Sequence, residues 1–353
     1  MHIHGGGDFL AYDAAFLPHW KEFANALEEY HYALKCLPKD TVSRLIIRGV
    51  ELSKRVLGLL SYALVSTHFK EISLNDNRFG RDGIKFLLDY MQRNRQLEAF
   101  ELNHNIIDQE DDVNQLCEII RDHPSIKTIQ LYGCFGDGID GHKTLRSIMT
   151  AGASKLKAID LSSNDISTES AFIADFLATN PILEEISLTS NNLSDEDADS
   201  IASALKHNTN LRCLDVTKND NITESGWGAL RKAEFDSTSL NSAADSNHTC
   251  NILDPDDNEI NGDPDTCDPY EPKALMQKKI YSVLSSGNRE SSNVHHFDDV
   301  PIELLPEMLT SIQKYSNYHV GANAPPKDNR DVKTLSVVYE IMRKWDQAIS
   351  LYE

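Results

Sequence analysis

LKAIDLSSN, residues 156–164, decides how the whole chain reads, because it recurs. LEEISLTSN (183–191) and LRCLDVTKN (211–219) follow it, and FKEISLNDN (69–77) and LEAFELNHN (97–105) precede it. Each carries apolar residues at positions 1, 4 and 6 and Asn at position 9. IKTIQLYGC (126–134) keeps the pattern with Cys134 in the Asn place, and VSRLIIRGV (42–50) fits more loosely, with Val50 there. The ninth positions fall at 50, 77, 105, 134, 164, 191 and 219, so the steps are 27, 28, 29, 30, 27 and 28 residues. Seven concordant units at near-constant spacing are the mark of a repeat array.

Positions 4 and 6 alternate as in a short strand, sending two side chains to one face. Position 9 sits where the chain turns away. A buried Asn there satisfies backbone groups of its own and the adjacent loop, and Cys is a weaker substitute. The expected structural ladder is Asn77, Asn105, Cys134, Asn164, Asn191 and Asn219. After position 9 the apolar period turns helical, as in Phe79, Ile84, Leu87 and Tyr90 of unit two and Leu193, Ala198, Ile201 and Leu205 of unit six. A strand and a helix cannot bury their apolar faces alone, whereas stacked units bury a continuous core. Ends need caps. Trp20, Phe23, Leu27, Tyr30 and Leu34 repeat at helical spacing after Pro18, which predicts a capping helix. TSLNSAADSNHTCNI, after unit seven, reads as a degenerate eighth unit whose apolar strand positions are lost.

The pattern resembles the leucine-rich repeat, and its period of about 28 residues resembles the ribonuclease-inhibitor-like subclass. The resemblance covers roughly residues 40–250. It implies an α/β solenoid shaped as a horseshoe, with a parallel sheet on the concave face, helices on the convex face, a helical N-cap and a C-terminal helical extension. Relatives act as ribonuclease inhibitors, as GTPase activators for Ran, and as sensor or scaffold modules. The motif is specific for fold and not for function. No contact residue transfers position by position, because the strand faces vary freely. The expected organisation is a flexible N-terminus (1–17), a capping helix (18–38), the repeat domain (39–250), an acidic linker (251–271) and a C-terminal helical region (272–353). In that last region Leu335, Val338, Met342, Trp345 and Ile349 form one apolar stripe.

Composition narrows the function. The 353 residues carry a formal charge of −21, which argues against nucleic-acid binding and against adhesion to anionic membranes. A basic protein partner suits that charge. No stretch approaches the ~18 apolar residues of a membrane span, and MHIHGGGDFLAYDAAFLPHW lacks the basic and apolar regions of a signal peptide. The 6 cysteines are scattered without paired spacing. They read as reduced thiols of a cytoplasmic protein, nuclear placement being the alternative left open, and the sequons at Asn192, Asn221 and Asn247 are then idle.

Several motifs scan like sites. DNEINGDPDTCD (257–268) lines up with an EF-hand loop, with Asp257, Glu259 and Asn261 at ligand positions 1, 3 and 5 and Gly262 at the turn. Pro264 removes a needed N–H, Asp268 is short for the bidentate position, and no helix precedes the loop. The stretch is therefore read as a solvated linker. GDGIDG (Gly136, Gly138, Gly141), with Asp160 further on, has dinucleotide spacing, but the repeat register makes it the loop of unit four. VPIELLPEMLTSIQKYS resembles the opening of an F-box and reads as an amphipathic helix begun at Pro301. No catalytic constellation emerges, and neither a cofactor nor a resident metal is expected.

Function is expected on the concave face, towards which strand positions 3, 5 and 7 point. The candidate contact residues are Glu71, Asn75, Glu101, Asn103, Gln130, Tyr132, Asp160, Ser162, Glu185, Thr189, Asp215 and Thr217. Units two to seven carry acids and no base at these positions, whereas unit one has Arg44 and Arg48. Tyr132, the one aromatic residue among them, is the natural hot spot, and His104 neighbours the unit-three Asn. These columns predict a non-enzymatic interaction scaffold that holds a basic protein. A GTPase regulator resembling the Ran activator is the second expectation. A ubiquitin-ligase substrate adaptor, resting on the F-box-like helix, is the third.

Overall fold

The computed structural model describes residues 2–4, 16–35, 43–50, 52–64, 67–167, 172–253 and scattered positions between 276 and 310. Among them nine short strands form one parallel sheet in sequence order. They are β1 (His2–His4), β2 (Arg44–Arg48), β3 (Glu71–Ser73), β4 (Ala99–Glu101), β5 (Thr128–Gln130), β6 (Ala158–Asp160), β7 (Glu185–Ser187), β8 (Cys213–Asp215) and β9 (Asn251–Leu253). Alternating with them are α1 (Leu17–Lys35), α2 (Lys54–Leu64), α3 (Arg81–Arg93), α4 (Glu110–Asp122), α5 (Gly141–Gly152), α6 (Phe172–Ala178), α7 (Asp195–Leu205), α8 (Glu224–Glu234) and α9 (Leu240–Ala244). Like positions pair with like, so Phe100, Ile129, Ile159, Ile186 and Leu214 stand in one row. The sheet does not close.

The apolar positions account for this arrangement. Leu156, Ile159 and Leu161 of unit five are buried, as are Leu183, Ile186 and Leu188 of unit six. The helical stripes Ile84, Leu87, Tyr90 and Ala198, Ile201, Leu205 are buried against them in one continuous core. Each buried aliphatic side chain contributes about 1.5–3 kcal/mol, so every interior unit stabilises both neighbours.

Backbone pairing outlasts the three-residue strands. Position 8 of one unit donates to position 7 of the next, as His104 N does to Tyr132 O (2.8 Å) and Gly133 N to Ser162 O (2.9 Å). At this point the chain must swing from strand to loop. It does so by a left-handed residue in all seven units: Gly49, Asp76, His104, Gly133, Ser163, Ser190 and Lys218, with φ between 54° and 69°. Helix starts are secured by side chains. Ser194 and Asp197 make a reciprocal capping box on α7, and Asp140 accepts from Lys143 N at 2.9 Å on α5. Asp140 belongs to the GDGIDG loop. There a Cβ on Gly141 would lie 3.0 Å from Asn164 O, so glycine lets neighbouring unit loops close up.

The ends differ from the sequence reading. His2–His4, read as part of a flexible terminus, adds β1 to the free edge of β2 in parallel. Backbone pairing places it, and that leaves no trace in a side-chain pattern. In α1, Trp20 and Leu27 are buried, Tyr30 stacks on Phe69 with ring centroids 6.0 Å apart, and Leu27 O accepts from the Thr67 hydroxyl. At the other end β9 carries the sheet past residue 250, to Leu253, so the repeat region runs into the stretch assigned to the linker. Of its apolar positions, Ile252 stands in the position-4 row beside Leu214 and is nearly buried, while position 1 is Thr249. The rest of the acidic stretch, and the stripe at 335–349, lie outside the described residues. So does most of the F-box-like segment, in which Leu304, Pro306, Glu307, Met308 and Thr310 are described. Lys279, Ile280 and Met308 are buried, and the Lys279 ammonium bonds to the carbonyls of Glu234 and Asn247, the latter at 2.7 Å. This part of the C-terminal region docks on the end of the array.

Candidate interaction surface

In each middle strand, position 4 is buried while positions 3 and 5 stay half-exposed. The exposed sides form columns across the sheet, and the candidate residues fall into three stretches along them.

The first stretch is charged and self-paired. Arg44 on β2 lies between two carboxylates, with Nε 3.4 Å from Glu71 and the guanidinium bonded to Glu101. Glu101 also accepts from the Asn75 amide at 3.2 Å. Arg48 pairs with Asp76 at 2.8 Å. The acidic strip expected from unit two onward is therefore partly offset over units two and three, where Glu71 and Glu101 share one guanidinium. Position 3 of unit one reaches across the sheet, an effect that reading each unit's charge separately could not show.

The second stretch is an amide row leading to an aromatic pair. Asn75 Oδ1 accepts from Asn103 N (2.9 Å), Asn103 Oδ1 accepts from Tyr132 N (3.0 Å), and the Asn103 amide donates to Gln130 (3.3 Å). Tyr132 meets His104 edge to face, with centroids 4.8 Å apart. The left-handed backbone of His104 lifts its ring onto the rim, and Gly133 leaves room for it.

The third stretch holds carboxylates and hydroxyls. Asp160 accepts from Ser162 N (2.9 Å), and Asp215 takes both N–H and hydroxyl of Thr217 (3.0 and 2.7 Å), so each carboxylate uses one oxygen to shape its own strand end. Hydroxyls link Ser162 to Ser187 (2.8 Å), Ser187 to Thr189 (3.3 Å) and Thr189 to Thr217 (3.4 Å). Ser162 is only 2% exposed, so it props this row from beneath and offers nothing to a partner. Glu185 is the exposed member, and it has no ion pair among the described residues.

Behind the surface the position-9 side chains tie unit to unit. Asn164 accepts from Cys134 N (2.7 Å) and Phe135 N (2.9 Å) and donates to Leu131 O (2.7 Å). Asn77, Asn105, Asn191 and Asn219 make equivalent sets of bonds. Cys134 keeps the donor half, with Sγ 3.2 Å from Leu102 O, and burial pushes its thiol up to about 12. It offers no side-chain acceptor for unit three. Ile107 N turns instead to Cys134 O at 2.7 Å, so backbone makes good the missing amide.

Two further rows escaped the sequence reading. Position 2 mixes signs along one lip: Lys70 and Lys127 flank Glu98, and Lys157 and Arg212 flank Glu184. The signal lay one residue away from the columns that were read. The second row lies three residues before position 1. Asn94 and Asn208 there each donate to the previous unit and accept from their own strand's first N–H groups. His123 fills the same role in unit four, with Nε2 2.7 Å from Asn94 O and Nδ1 accepting from Ser125 N and Ile126 N at 3.2 Å. Burial holds its pKa below the ordinary imidazole range, and the nearby Arg95 and Lys155 charges add to this.

The family described as Leucine Rich repeat matches residues 152–172, 179–202 and 207–230. No curated protein matches the chain. Among solved structures, the C-terminal domain of tropomodulin from Caenorhabditis elegans is similar at 10% identity, over 60% of this chain and 88% of that one, with a TM-score of 0.24. The matched residues fall in units five to seven; the same nine-residue pattern and Asn ladder continue on their N-terminal side, and the strand pairing continues on both. Residues 152–230 thus match leucine-rich repeats, and the described residues form the α/β solenoid expected of such repeats.

Proposed function

We propose that the protein is a non-enzymatic, intracellular scaffold of the ribonuclease-inhibitor-like subclass, which holds a basic protein partner on the concave face of units four to seven. The observation that carries this reading is the uneven distribution of ion pairs along the sheet. Glu71 and Glu101 are satisfied from within by Arg44, whereas Asp160, Glu185 and Asp215 have no basic partner among the described residues. Carboxylates of one sign on an open sheet steer a basic partner and suppress acidic ones. Tyr132 and His104 supply the aromatic contact at the border of this region.

Affinity capture from the native cell tests it. The triple variant Asp160→Lys, Glu185→Lys, Asp215→Lys is expected to lose the partner that the wild-type chain retains while keeping its fold, with a somewhat lower melting temperature because Asp160 and Asp215 give up their strand-end bonds. Retention of the same partner by a folded triple variant overturns the reading.

A further inference from the structure

The repeat supplies its own template for what the concave carboxylates bind. Arg44 stands at position 3 of unit one, Glu71 at position 3 of unit two, and Glu101 at position 5 of unit three. Register pairs Arg44 with Glu71 and Glu71 with Ala99, two residues before Glu101. Four units further on the same three places recur. Glu185 is position 3 of unit six and Asp215 is position 5 of unit seven, while position 3 of unit five is Ala158. Register pairs Ala158 with Glu185 and Glu185 with Cys213, two residues before Asp215. The second constellation thus keeps both carboxylates and replaces the arginine that would join them by a methyl group.

We propose that the Glu185–Asp215 pair is a subsite for an arginine side chain of a protein partner, filled from outside as Arg44 fills Glu71–Glu101 from within. The proposal rests on the concave-face reading above and names its contact. Asp215 commits one oxygen to Thr217 and keeps the other, Glu185 is exposed, and Asp160 flanks the pair one strand away through Ser187. Adjacent strands lie about 4.8 Å apart, so a planar guanidinium with five N–H donors spans carboxylates on neighbouring strands. An ammonium is a point charge and meets one at a time.

The test is a calorimetric titration of the full chain with the peptide Ser-Arg-Ser-Arg-Ser and its lysine counterpart. The arginine peptide is expected to bind at least tenfold more tightly than the lysine one. Ala158→Arg, which installs the missing guanidinium, should abolish that binding, and the near-isosteric Glu185→Gln should weaken it about tenfold even if Ala158→Arg folds poorly. Glu71→Gln, at the pair already filled, should leave it unchanged. Equal binding of the two peptides, absence of binding, or indifference to both Ala158→Arg and Glu185→Gln overturns the subsite. Partner capture that is lost in the triple reversal but survives Ala158→Arg would remove the subsite and leave the scaffold reading standing.

Discussion

At the scale of single residues, two adjacent positions of the repeat carry demands of different kinds. Position 9 is a matter of polar satisfaction. Asn164 is buried and makes bonds to Cys134 N, Phe135 N and Leu131 O. Asn164→Ala strands those groups away from water, at ~1–3 kcal/mol for each one left unsatisfied. Some rearrangement follows, so a loss of about 3 kcal/mol is expected in urea unfolding. A melt like that of the wild type would mean that the ladder does not hold the loops. Position 8 is a matter of backbone shape. Gly133 sits at φ 59°, and a Cβ there would also lie 3.1 Å from His104 Nδ1. Gly133→Ala should cost about 1–2 kcal/mol, the ordinary penalty of a left-handed L-residue. The same unfolding experiment reads it. The Asn ladder was legible because one residue type repeats at a fixed step. The left-handed position was not, because glycine, aspartate, histidine, serine and lysine all occupy it, and only backbone torsion unites them.

At the scale of elements, the junction from helix to strand carries a pH dependence. His123 joins α4 to β5 as a neutral ring that donates from Nε2 and accepts at Nδ1. Protonation would set an N–H against the N–H groups of Ser125 and Ile126. The folded chain therefore favours the neutral form, and its pKa lies below the unfolded value near ~6.5. Above that value both states are neutral and the junction contributes fully. As pH falls below it the unfolded chain gains a proton that the folded one resists, and stability drops by up to about 1.4 kcal/mol per pH unit until the folded pKa is reached. His248 has a pKa lowered by burial, with the Lys279 charge adding to it, and acts in the same direction. Thermal melts from pH 7.5 down to 5 should show the decline. His123→Asn should reduce its slope, since Asn208 serves the same position in unit seven with a group that does not titrate. An unchanged slope would place the effect elsewhere. This junction was hidden in the sequence because Asn and His share it, and because His123 looked like one more scattered histidine until the register placed it beside Asn94 and Asn208.

At the scale of the whole molecule, the middle of the array was readable and its two ends were not. An interior unit has neighbours on both sides, so selection for burial writes the same apolar letters each time: Ile159, Ile186 and Leu214 fall into one row. β1 joins the sheet through its backbone, and β9 ends it with Ile252 in the position-4 row but Thr249 at position 1. The charge of the groove was legible only in part for a related reason: Arg44 pairs with acids one and two units away. The C-terminal end gives the last prediction. Lys279 closes the array by donating to Glu234 O, at the end of α8, and to Asn247 O, just before β9. A cation is favourable at a helix C-terminus, and this one is buried, so its charged hydrogen bonds contribute about 1.5–3 kcal/mol. Lys279→Met keeps the stem and removes the ammonium. Because repeat stability is nearly a sum of units and their interfaces, the loss should stay local. Hydrogen exchange of the full chain should quicken across residues 240–253 and remain unaltered in units three to five. Equal quickening throughout would show that the array opens as one block and that the C-terminal contact secures all of it.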